Sequence, residues 1–97
     1  MSNYIPTADW NYTIVPQTAT TTVVKSFSGT LHSIVVNAAT VGAISAYDGI
    51  TTSGSLIATI TPSTAVGWGT YLYNIAFNTG LTVVTGGTAS GVTICWR

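Results

Sequence analysis

The sequence predicts an all-β domain, a compact antiparallel β-sandwich of jelly-roll type with about eight short strands. Three observations carry this. Thr, Val, Ile and Tyr dominate, and these residues suit a pleated, half-buried surface. Glu is absent and Lys, Gln and Met are nearly so, and no apolar stripe recurs at helical spacing. Turn residues interrupt the chain roughly every eight to twelve positions, as in sandwiches and barrels. A length of 97 residues makes one domain, 1–97, with a thin two-layer core.

The elements follow in order. Residues 1–8 read as an extended N-terminal arm, apolar at Tyr4, Ile5 and Pro6 and therefore able to dock on a partner. A first strand over 10–15 puts Trp10, Tyr12 and Ile14 on one face, and Pro16 ends it because proline has no N–H for a ladder. A second strand covers 20–27, with a turn at Ser28-Gly29. The third, 31–37, is strongly apolar; strict alternation places His32 on the face opposite Leu31 and Val35. The fourth covers 43–48 and closes at Asp48-Gly49, a turn dipeptide in which the Asp side chain caps nearby backbone. The fifth covers 56–60 and closes at Thr61-Pro62. In the sixth, 71–77, the alternation of Tyr71, Tyr73, Ile75 and Phe77 marks a core face. The turn Asn78-Thr79-Gly80 leads to a seventh strand over 81–85. Gly86-Gly87 then turns into the eighth, over 92–96.

Charge is the most unusual feature. Charged residues are 4% of the chain, against about a quarter in ordinary domains. They are Asp9, Asp48, Lys25 and Arg97. Hydrophobic residues make up 46%, which argues against a disordered chain. Two cations cannot build a phosphate-neutralising patch, so no nucleic-acid partner is expected. No apolar run approaches the ~18 residues of a spanning helix, so no membrane partner is expected, and the first residues lack a secretory signal pattern. A surface so poor in charge must stay soluble through hydroxyls and amides or be hidden in an assembly.

The chemical inventory is correspondingly thin. His32 is the only histidine, and any triad would have to recruit Asp9 or Asp48 from a distance. One His, one Cys and two Asp show no metal-ligand spacing, and no phosphate-binding glycine motif is present. No catalytic residues, metal site or cofactor are expected, and the chain reads as a non-enzyme. Cys95, alone, reads as a small buried hydrophobe. Three tryptophans remain. Trp10 and Trp96 lie on strand patterns and suit core or interface packing. Trp68, between Gly67 and Gly69, either protrudes from its loop or folds back as a lid. The candidate partner-binding residues are thus Tyr4, Ile5, Pro6, Trp10 and Trp68.

Four runs carry a family resemblance: Gly29-Thr30-Leu31-His32-Ser33-Ile34-Val35-Val36-Asn37; Tyr47-Asp48-Gly49; 71–85, which reads YLYNIAFNTGLTVVT; and Gly91-Val92-Thr93-Ile94-Cys95-Trp96-Arg97. In their order the chain resembles small phage-encoded β-sandwich proteins of tailed phages, including cyanophages and other aquatic phages. The resemblance spans about 25–97 and leaves the arm outside. It implies a capsid decoration, or cement, protein that binds the major capsid protein on the virion surface and forms a homotrimer. Similar small domains also serve in tail fibres, and Trp68 gives the alternative expectation of a receptor-binding module for host surface glycans.

Overall fold

The computed structural model describes residues 10–15, 20–36, 43–61, 69–86 and 92–97. The arm residues Tyr4, Ile5 and Pro6, and Trp68, lie outside the described residues. Eight strands are present: β1 (Asn11–Val15), β2 (Thr20–Lys25), β3 (Gly29–Val36), β4 (Ile44–Asp48), β5 (Ser55–Ile60), β6 (Gly69–Phe77), β7 (Leu81–Thr85) and β8 (Val92–Trp96). All pairings are antiparallel. One sheet has the order β1-β8-β3-β6 and the other β2-β7-β4-β5.

This order is that of a long hairpin folded over on itself. β4 pairs with β5, β3 with β6, β2 with β7 and β1 with β8; the sheets are completed where β3 meets β8 and β4 meets β7. The result is a jelly roll, as the sequence predicts. It also fixes two ends. The turns β2–β3, β4–β5 and β6–β7 share one end with the start of β1 and the end of β8. The remaining connections leave from the opposite end, outside the described residues.

The core lies between the sheets. Val15, Leu31, Ile34, Val36, Val92 and Ile94 of the first sheet face Ile44, Ala46, Ile60, Leu81 and Val83 of the second, and Phe77 closes the turn end. Val24, Ile57, Tyr71, Tyr73 and Trp96 pack around this cluster. Each fully buried Leu, Ile, Val or Phe contributes roughly 1.5–3 kcal/mol relative to exposure.

Simple alternation fails in β3. An extra residue against β8 makes His32 a bulge. Leu31, before it, faces the core, whereas Val35, after it, faces outward and Ile34 and Val36 turn inward. Leu31 and Val35 therefore do not share a face, because one extra residue inverts a period of two. The opposite strand β6 is irregular at the same level, where Asn74 has a positive φ of 53°. That break leaves Ile75 partly exposed at the rim instead of fully in the core. Cys95 also departs from expectation. It is half-buried on the outer face, between Tyr12 and Ser33, because Ile94 and not its neighbour occupies the inward position.

Candidate partner-binding surface

The two outer faces follow from register. On the first sheet the rows Tyr12–Cys95–Ser33–Leu72 and Ile14–Thr93–Val35–Thr70 point away from the core. On the second the corresponding rows are Thr21–Val84–Ser45–Thr59 and Val23–Thr82–Tyr47–Leu56, although within these rows Thr82 and, on the first sheet, Ser33 are themselves buried. No residue in these four rows is charged. Tyr12, Ile14 and Leu72 are 69%, 66% and 63% exposed, and Val23 and Leu56 are also open to solvent. The outer face of an antiparallel sheet is usually its polar, solvated side. Here hydroxyls and apolar side chains share it.

The charges that the structure describes, Lys25, Asp48 and Arg97, all stand at the turn end. Asp48 ends β4 and clamps a turn remote in sequence. Its carboxylate accepts the backbone N–H of Asn78 at 2.9 Å and of Thr79 at 2.8 Å, with Gly80 at 3.4 Å. The cap expected of Asp48 is real, but its target is the β6–β7 turn and not its own. The Asn78 N–H, then that of Thr79, holds the Asp48 carboxyl below its usual range, outweighing the upward push of burial. Gly49 N–H bonds Gly80 C=O at 3.0 Å, and the Thr82 hydroxyl donates to Gly49 C=O at 2.7 Å, so the two turns are tied together. Phe27 and Ile50 lie exposed on the same end.

Trp10 enters β1 at this end. Its ring stacks on His32, with centroids 4.4 Å apart and planes 22° apart. The Arg97 guanidinium sits 4.5 Å from the Trp10 centroid. Both contacts are close enough for π-stacking and cation–π attraction to the indole. His32 Nδ1 lies 2.6 Å from Asn74 Oδ1. An amide oxygen only accepts, so Nδ1 carries the hydrogen. The bulge in β3 and the break in β6 thus meet in one side-chain bond, which a strand-by-strand reading of the sequence could not reveal. Nearby, Trp96 Nε1 donates to Thr13 Oγ1 at 2.9 Å, and Lys25 Nζ lies 5.8 Å from the Trp96 ring centre.

Of the five partner-binding residues expected from sequence, Trp10 alone is described, half-buried and in contact with His32 and Arg97. The sequence pattern does not single out Tyr12, Ile14 and Leu72 for partner binding. Their signal was legible in part, since Tyr12 and Ile14 share a face with Trp10, but only the pairing with β8 shows that this face is the outer one. No family model matches the chain, and neither a curated protein nor a solved structure matches it.

Proposed function

We propose that the protein is a non-enzymatic virion structural component, a decoration protein that binds the major capsid lattice and stabilises the head. The carrying observation is the absence of charge from the four outward rows, together with the apolar exposure of Tyr12, Ile14, Leu72, Val23 and Leu56. Such faces have few ions to strip of water and lose little on burial in an assembly. On a symmetric lattice many weak contacts add through avidity. The resemblance carried by 29–37, 71–85 and 91–97 supports the same reading, whereas the strand order alone is shared by capsid, lectin and cupin domains and does not decide between them.

The chemical groups support a non-catalytic role. The single imidazole is held between Trp10 and Asn74, and Asp48 is engaged by backbone N–H groups. The alternative of glycan recognition by a tail fibre rests on Trp68, which lies outside the described residues. Quantitative mass spectrometry of purified virions tests the proposal. A copy number comparable to that of the major capsid protein is expected; a few copies per particle would overturn it.

A further inference from the structure

The four sheet edges are not alike. β2 carries Val24 as an extra residue against β7, β5 carries Ile57 against β4, and β6 carries Tyr73 and Asn74 opposite the His32 bulge. β2 also ends in Lys25. Bulges and charges are what folded proteins use to stop an edge from accepting another strand. β1 has neither. Its five residues pair with β8 without a break, from Asn11 opposite Trp96 to Val15 opposite Val92. None of them is charged, and among the described residues no strand lies on its other side.

We propose that β1, through the edge that no described strand covers, pairs antiparallel with β1 of a second copy of this chain, about a two-fold axis at Thr13. Only with the axis at Thr13 do all five residues of β1 overlap. Tyr12 then stands opposite Ile14 of the second copy, and Ile14 opposite its Tyr12. Both side chains lie on the outer face and are the most exposed apolar groups of the first sheet. Aromatic and β-branched residues directly opposite one another are a favourable cross-strand pair, with Cβ atoms about 4.5–5.5 Å apart. The strand is therefore complementary to itself, as a two-fold contact requires. The chain has zero net charge, so no long-range repulsion opposes its meeting a copy of itself. The first sheets of the two copies become one continuous sheet, and the two exposed edges vanish. This contact does not rest on the capsid reading, since it forms in solution without a lattice, and it stands against the homotrimer that the family resemblance implies.

The test uses the full chain with Cys95→Ser to remove the native thiol. Tyr12→Cys and Ile14→Cys are made in separate chains, then mixed and oxidised. Opposed positions meet the short Cβ separation of a disulfide, whereas position 12 and its own copy are diagonal, roughly 7–8 Å apart. Cross-linked dimer is expected from the mixture and at least several-fold less from either chain alone. Sedimentation of the unmodified chain should give two copies. Ile14→Lys should weaken association on the order of tenfold or more, with an unchanged circular dichroism spectrum because the side chain is exposed. A monomer at every soluble concentration, a closed trimer, or equal cross-linking by the single variants would overturn the proposal.

Discussion

At the scale of single residues, Asp48 does the most for its size. A carboxylate bonded by several backbone N–H groups stabilises the fold only while ionised. Its folded pKa is lowered from 3.8, so its contribution is complete above the unfolded value and disappears as pH falls through the folded one. Asp48→Asn is expected to cost on the order of 1 kcal/mol at neutral pH, less than the roughly 1.5–3 kcal/mol of buried hydrogen bonds to a charged group because solvent screens this carboxylate. The gap between variant and parent should narrow below about pH 4, which urea melts at two pH values would show. Tyr73 works in the opposite direction. Burial, and then the neighbouring Tyr71, raises its pKa above 10.0, so the folded state favours the neutral phenol. Its contribution is complete below the unfolded value and is lost as pH rises through the folded one. Gly29 is constrained by contact: a Cβ there would collide with the Arg97 carbonyl and lie 2.9 Å from Lys25 Nζ and from Phe77 Cζ. That carbonyl accepts the Thr30 N–H at 2.8 Å and belongs to the backbone, so it cannot swing aside. Gly29→Ala should destabilise by about 1–3 kcal/mol in a chemical melt.

At the scale of elements, the bulge in β3 and the break in β6 form one device. Asn74 tolerates its positive φ better than most residues, and its side chain reaches back to His32. Asn74→Ala should lose both the backbone tolerance and the bond, at a cost of about 1–3 kcal/mol. Asn74→Gly should lose only the bond. Comparing the two variants by thermal unfolding separates the conformational part from the bonding part. A bulge also explains why β6 is a guarded edge although it is the longest strand, whereas β1, short and regular, carries no bulge.

At the scale of the whole molecule, the described charges are confined to one end, where the exposed Phe27 and Ile50 also lie. Lys25, Asp48 and Arg97 gather at the turn end, and the described outer faces are free of charge. Contacts made through those faces have little Coulombic content to screen. On the proposed decoration role, attachment to capsids should therefore change by less than about threefold between ~50 and ~500 mM salt, measured by co-sedimentation with particles lacking the protein. A steep loss of binding with salt would show that the turn end, not the faces, makes the contact. The nested pairing, in which β1 finds β8 across nearly the whole chain, places most of the loop-closure cost before the last sheet contacts form.

The sequence by itself determined where the strands are, because turn propensity and apolar alternation are local properties. The strands expected over 81–85 and 92–96 match β7 and β8 at both ends, and the others differ by one or two residues. It also determined the charge deficit and the poverty of chemical groups. Only the tertiary structure decided which strand pairs with which, since the pairing energy of β-strands is similar for many partners and closure selects among them. It likewise decided that Asp48 clamps a turn thirty residues away, that His32 bulges and inverts the faces of β3, and that Tyr12 and Ile14 point to solvent. Each of these depends on a neighbour distant in sequence, and a period of two carries no information about which face the second sheet will cover.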